Sequence, residues 1–167
     1  MSVDRRKLSL KEDWPAIPYT TLILVGIAVS AYDFIFLQGL RIQLCPLIIG
    51  VSFVIIGGSI RALSRMTLKR AGFGLANSAR LRVIEKQKVV TNGLYRHIRH
   101  PLYLGEIIRN AGFALAMSSL YGLIPIIMGN ALLLFRIRIE ERMLVEEFGA
   151  EYEEYMSRTK KLVPYVY

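Results

Sequence analysis

Two stretches concentrate the groups that could do chemistry: TNGLYRHIRHPLYLGE, residues 91–106, and RIRIEERMLVEEF, residues 136–148. The first brings Tyr95, His97, Arg99, His100, Tyr103 and Glu106 close together in sequence; the second brings Arg136, Arg138, Glu140, Glu141 and Arg142. Arg136 and Glu140 are four apart and share one face of a helix. Pro101 disfavours helix at His100 and can itself open a helix at the first turn. A guanidinium grips a carboxylate or phosphate through parallel hydrogen bonds, and a carboxylate accepts from hydroxyl or ammonium groups. The chemistry on offer is therefore the capture of charged, polar ligands. Metal chemistry is not expected. His97 and His100 are the only histidines and no third ligand accompanies them, so a zinc site lacks its donor set. GFGLANS, residues 72–78, lacks a third glycine and a preceding strand, so no dinucleotide fingerprint is read there.

The elements that must position these groups look like membrane. Hydrophobic residues are 53% of the 167, mean hydropathy is +0.38, and the apolar residues fall in long runs. The net charge of +9 sits mainly beside those runs, which points to membrane topology and anionic headgroups, not nucleic acid. Cys45 has no second cysteine to pair with and reads as inert packing.

Tyr19–Leu40 and Ile42–Leu63 are each long enough to span a bilayer, and the short LQGLR linker makes them an antiparallel hairpin. The first reads as a retained span, since no small-residue cleavage site follows it. Gly57 and Gly58 offer the second a flat surface for close helix approach. From Arg61 to Arg99 the chain holds ten Lys or Arg against one acid, Glu85, and is broken by Gly72, Gly74, Asn77, Asn92 and Gly93. This basic connector is expected in the cytoplasm. Leu102–Met117 and Leu120–Phe135 form a second, shorter hairpin turning at SSLYG. Met143, Leu144, Phe148, Tyr152 and Tyr155 then recur at helical spacing, predicting an amphipathic cytoplasmic helix. The expected fold is an all-α integral membrane protein of two transmembrane hairpins. It has four clear spans, with a fifth, broken or interfacial, left open, and both termini in the cytoplasm.

Charges inside a span cost about 2.5–3.5 kcal/mol each on insertion scales. Glu106 and Arg109 nevertheless sit three apart in the third run, followed by Asn110. They read equally as a structural ion pair or as the lining of a polar cavity. If the second hairpin folds back on itself, Tyr95, His100, Tyr103, Arg136 and Glu140 meet at the cytoplasmic boundary. An aromatic belt with snorkelling bases is the plainer alternative, but it leaves a proline-bracketed histidine opposite a carboxylate unexplained.

VVTNGLYRHIRHPLYLG resembles the pattern V-T-x-G-x-Y-x-x-x-R-H-P-x-Y-x-G of the isoprenylcysteine carboxyl methyltransferases. RIRIEERMLVEEFGAEYEEY resembles that family's second block, paired glutamates followed by F-G-x-x-Y-x-x-Y. The two blocks cover Val89 to Tyr155 in the family's order; the first two spans match only as hydrophobic helices. The resemblance implies a membrane-embedded methyltransferase that uses S-adenosylmethionine, leaves S-adenosylhomocysteine, and has no Rossmann domain. It places the cofactor on Val89, Val90, Tyr95, His100, Pro101, Leu102, Tyr103 and Glu140, with Gln87 and Lys88 added where the pattern is loose. It places the substrate on Arg136. The whole of 1–167 is then one membrane domain, with residues 1–63 as first hairpin and 64–167 as the cofactor-binding and catalytic part.

The implied reaction methylates the carboxylate of an isoprenylated cysteine, or a similar lipid-like acid, arriving from the bilayer. Such a carboxylate is ionised at neutral pH, its ordinary pKa being near 3.5, so no general base is needed. Three rivals remain at this stage. They are a phospholipid amine methyltransferase, an NADPH-dependent lipid reductase, and a non-catalytic adaptor whose basic connector grips anionic lipid.

Overall fold

A computed structural model describes residues 13–72 and 89–163, together with the backbone of the paired two-residue strands Arg6–Lys7 and Arg82–Val83. Five α-helices make up nearly all of the described chain: α1 Ala16–Tyr32, α2 Leu44–Arg70, α3 Pro101–Ala116, α4 Leu120–Phe148 and α5 Ala150–Arg158. A π-helical turn, Asp33–Leu37, extends α1, and a 3-10 turn, Gly93–Arg96, precedes α3. Three of the described helices are long and apolar enough to cross a membrane: Ala16–Leu37, Leu44–Arg70 and Leu120–Phe148. With 16 residues, α3 is about 24 Å long and falls short of that group.

Local chemistry explains the boundaries. Pro101 occupies the first turn of α3, where its missing N–H costs nothing. Ser119 caps α4, its hydroxyl accepting from the Gly122 amide at 3.1 Å. The fourth apolar run does not stop at Phe135. Its helix continues through the charged residues to Phe148, because nothing from Arg136 onward breaks helical geometry until Gly149 turns the chain at φ +54°. The amphipathic tail expected as one helix is thus split, its first half prolonging α4 and its second forming α5. Its apolar side is still the buried one: Met143, Tyr152 and Tyr155 are buried, and Leu144 and Phe148 pack against Met143.

The two arms of each expected hairpin are not each other's main packing partners. The chief contacts of α1 are with α4, and those of α2 are with α3. Glycine explains the choice. Gly50 and Gly57 lie one heptad apart on α2, as do Gly105 and Gly112 on α3. A Cβ at Gly57 would stand 2.5 Å from the Gly105 carbonyl and 2.6 Å from the Arg109 amide. One at Gly112 would stand 2.7 Å from the Gly50 carbonyl. The same device joins α1 to α4, where a Cβ at Gly122 would meet the Gly26 carbonyl at 2.7 Å. Backbones this close gain dispersion over a long seam, the main attraction between helices in lipid. Gly58 has nothing within 4 Å and takes no part in the seam. Cys45, expected as packing, is exposed at the start of α2.

These antiparallel seams fix which ends lie together. At one end, Asp13 before α1 bonds Arg136 on α4, and His100 before α3 faces Glu140 on α4. Gly93 lies against Thr67, near the end of α2. At the other end, the Gln38 amide donates to the carbonyls of Met117 and Ser118, each at 3.3 Å. Every element of the candidate site arrives at the first end.

The seam sets up a paired test. Gly57→Leu is expected to destabilise the protein in detergent by about 1–3 kcal/mol or more, as overpacking of a tight contact does, whereas Gly58→Leu is expected to be nearly neutral. Thermal unfolding of the two variants beside the unsubstituted chain checks this.

Candidate active site

Glu140 and Glu141 lie on the last stretch of α4, and the two ring nitrogens of His100 are divided between them. His100 Nδ1 is 3.8 Å from Glu140 Oε2, and Nε2 is 3.4 Å from Glu141 Oε1. Successive helix positions point about 100° apart, so two adjacent glutamates reach different surroundings.

Glu141 is buried and holds the architecture. Its Oε1 accepts from Arg99 Nε at 2.7 Å, and its Oε2 is 3.2 Å from Lys161 Nζ. Arg99, also buried, turns its other nitrogen to the carbonyls of Met156, at 3.1 Å, and Thr159. The backbone repeats the connection. Arg99 donates to the Lys160 carbonyl at 2.8 Å, His100 to the Lys161 carbonyl at 3.0 Å, and Lys160 to the His97 carbonyl at 3.2 Å. The segment after α5 therefore runs beside residues 97–100 as a short parallel bridge. Tyr155 donates to the Tyr95 carbonyl at 2.7 Å, tying α5 to the 3-10 turn as well.

Glu140 is held differently. Tyr103, one turn into α3, lies within hydrogen-bonding reach of it, and the Tyr103 and His100 rings lie 5.7 Å apart. Arg136, one turn earlier on α4, sits over the Tyr103 ring at 5.7 Å. Its guanidinium makes a two-pronged bond to Asp13, Nε to Oδ1 at 2.9 Å and Nη2 to Oδ2 at 2.8 Å. Burial, with Glu140 next in importance, pushes the Tyr95 phenol far above its ordinary range. Tyr95 is then a neutral hydrogen-bond donor at physiological pH, not a base. Two buried polar atoms in this cluster have no hydrogen-bond partner: His100 Nε2, poorly aligned with Glu141, and Glu140 Oε2. Buried polar atoms are rarely left unmatched, so these two, on neighbouring side chains, are candidates to bond a polar ligand.

The structure thus brings Tyr95, His100, Tyr103, Arg136 and Glu140 to one place. Pro101 is buried in the first turn of α3 and Leu102 half-buried beside it, while Val89 and Val90 are half-buried in irregular chain upstream. Gln87 and Lys88 lie outside the described residues. Sequence reasoning passed over Asp13 and Lys161, and named Arg99 and Glu141 without giving either a role. The doubled glutamate was the visible signal for Glu141; Asp13 showed only as a carboxylate just before a Trp-Pro helix start.

Deeper in the bundle, Glu106 is held from two sides, by Arg109 on its own helix and by Arg61 on α2. The ion-pair reading of Glu106 and Arg109 is what the geometry shows, with Arg61 as a third member. Beside it, fully buried Asn110 donates to the Tyr19 hydroxyl at 3.1 Å and the Asn130 side chain at 3.3 Å, linking α3 to α1 and α4.

A family model described as phospholipid methyltransferase matches residues 45–151. Protein-S-isoprenylcysteine O-methyltransferase B of Arabidopsis thaliana is 28% identical over 149 residues, covering 89% of this chain and 74% of that protein. A probable protein-S-isoprenylcysteine O-methyltransferase of Oryza sativa subsp. indica is 32% identical over 123 residues, covering 71% of this chain and 61% of that protein. The Saccharomyces cerevisiae protein-S-isoprenylcysteine O-methyltransferase is 31% identical over 135 residues, covering 79% of this chain and 54% of that protein. The chain thus spans between about half and three quarters of the length of these relatives. The resemblance seen in the two motif blocks holds over most of the chain.

Removing one member of a buried ion pair leaves the other uncompensated, at about 3–5 kcal/mol. Glu141→Ala is expected to cost about that much, and Glu140→Ala, at a more exposed carboxylate, distinctly less. Denaturation in detergent measures the difference, and hydrogen exchange should show residues 150–163 loosening in Glu141→Ala alone.

Proposed function

Because the chain belongs to the phospholipid methyltransferase family, we propose that it transfers the methyl of S-adenosylmethionine to the carboxylate of an isoprenylated cysteine, or a similar lipid-like acid. The single observation that carries this reading is the convergence on one end of the bundle of an arginine in carboxylate-gripping geometry and a buried histidine beside a half-buried glutamate, each with an unmatched polar atom. The relatives named above act, by their names, on isoprenylcysteine.

The residues present suit such a methyl donor. Glu140 Oε2 is free to accept from hydroxyl or ammonium groups, and His100 Nε2 and the neutral Tyr95 phenol can bond polar edges. When bound, S-adenosylmethionine supplies a methyl on a sulfonium, which the acceptor's carboxylate oxygen takes as the C–S bond breaks and its electron pair stays on sulfur. Arg136 orients the acceptor through a two-pronged grip that supplies direction as well as attraction. Holding two reactants in line can lower a barrier by roughly 7–11 kcal/mol, and no proton has to move. The opposite charges of the reactants cancel as the methyl moves. A water-poor site would favour the step, because water stabilises the separated ions of the ground state more than the charge-dispersed transition state.

Placed in a membrane, α3 completes a fourth crossing beside α2, and the site end of the bundle faces the cytoplasm. The basic residues Arg65, Lys69, Arg70, Arg96 and Arg99 gather toward that end, in keeping with the excess of bases on cytoplasmic surfaces. A lipid tail reaches Arg136 laterally, between helices, and the polar donor arrives from water.

The family's description favours a second reading, transfer to a phospholipid amine. An ammonium must first lose a proton, so that reaction needs a base. Glu106 is engaged by two guanidiniums and poorly placed for the role, which leaves His100 alone. Label from a radioactive methyl donor that is released as methanol by mild alkali reports an ester; label that stays reports an amine.

Arg136→Ala is expected to abolish ester formation while S-adenosylhomocysteine still binds within about threefold. Glu140→Ala is expected to weaken that binding by about tenfold or more, since bonds to a charged acceptor are worth roughly 1.5–3 kcal/mol. Calorimetric titration checks both; equal loss of binding in the two variants sinks the division of roles.

A further inference from the structure

Arg136 already holds a carboxylate. Asp13 meets it through both oxygens, at 2.9 and 2.8 Å, in the fork geometry by which arginine recognises a carboxylate ligand. Both side chains are nearly buried, 12% exposed for Arg136 and 13% for Asp13, so the pair has already given up most of its water. Asp13 is carried to the site by the turn that starts α1: its carbonyl accepts from the Ala16 amide at 3.1 Å, and the next residue, Trp14, lies against Phe135, the neighbour of Arg136 on α4. Tyr103 supports the guanidinium from its ring, independently of Asp13. The arginine therefore keeps its place if the aspartate swings away.

We propose that Asp13 occupies the acceptor carboxylate's seat on Arg136, so that an acid acceptor binds by displacing Asp13 and the methyl ester is released as Asp13 takes the seat back. The inference rests on the reading that Arg136 receives the acceptor. The exchange replaces one carboxylate with another and leaves the charge at the guanidinium unchanged. It avoids exposing a bare buried cation, which would cost several kcal/mol. An acid can compete for the fork because it offers two anionic oxygens. The ester is neutral and offers only a weak acceptor, so it loses to Asp13. Asp13 then sets specificity in both directions: it demands an anionic acceptor on binding, and it rejects the product once the charge is gone.

The test measures equilibrium binding of N-acetyl-S-farnesylcysteine and of its methyl ester to the full chain in detergent, comparing the unsubstituted protein with Asp13→Asn and Asp13→Ala. With the competitor removed, the acid should bind about tenfold more tightly, equivalent to about 1.4 kcal/mol, and the ester should change less than twofold. S-Adenosylhomocysteine binding reports folding; if Asp13→Ala loses it, Asp13→Asn is read alone. Unchanged or weaker acid binding in a folded variant overturns the inference, as does an equal gain for acid and ester, which would mean a generally loosened site. If neither variant folds, Asp13→Glu, which keeps the anion but spoils the fork, is read in their place, and acid binding no tighter than in the unsubstituted protein overturns the inference. The alkali-release assay on the unsubstituted protein separates the two readings. Label retained as an amine ends the proposed reaction, while selective tightening of the acid still establishes the exchange on Arg136.

Discussion

The buried Arg99–Glu141 pair is the constraint from which the site follows. It joins the loop before α3 to the end of α4, and through Arg99's second nitrogen and Lys161 it recruits the segment after α5. A buried ion pair contributes little net stability when weighed against an apolar replacement, but its partners cannot be separated cheaply. It therefore fixes register. With Glu141 locked on Arg99, the neighbouring Glu140 is turned toward His100 and Tyr103, and Arg136 one turn back is turned toward Asp13.

This lock is effective because the helices that carry it are themselves held at close range. The glycine seams between α2 and α3 and between α1 and α4 leave no room for sliding by even one side chain. In lipid, where apolar side chains gain nothing by leaving their solvent, such close backbone approach supplies the attraction. The Asn110–Tyr19–Asn130 bonds add a polar fastening among α3, α1 and α4, and Arg61–Glu106 adds one between α2 and α3. The result is a stiff end of bundle on which ionisable groups are placed by several elements at once.

The division of labour among the charges then makes chemical sense. Glu141 is saturated by two cations and serves structure; Glu140, its sequence neighbour, keeps an oxygen unmatched and is the one proposed to bind the methyl donor. Arg99 is spent on the tail, whereas Arg136 holds the carboxylate of Asp13, the seat proposed for the acceptor. Residues of one type separate into scaffold and site by what surrounds them.

Much of this was legible in the residue order. Apolar run lengths determined the helices, the proline after His100 determined where α3 begins, and the two motif blocks named Tyr95, His100, Tyr103, Arg136 and Glu140, because these depend on local periodicity, fixed dihedrals and characteristic spacing. The heptad-spaced glycines were equally visible, but Gly57 and Gly58 looked alike in the chain, and only the packing distinguished the one that faces α3. The partnership of α1 with α4, the role of Glu141 and the bond from Asp13 to Arg136 were decided by tertiary structure. Asp13 and Arg136 stand more than a hundred positions apart, and a carboxylate carries no mark of which distant cation it will meet. That meeting is set by how whole helices dock, through contacts summed along their seams, and no local pattern contains that sum.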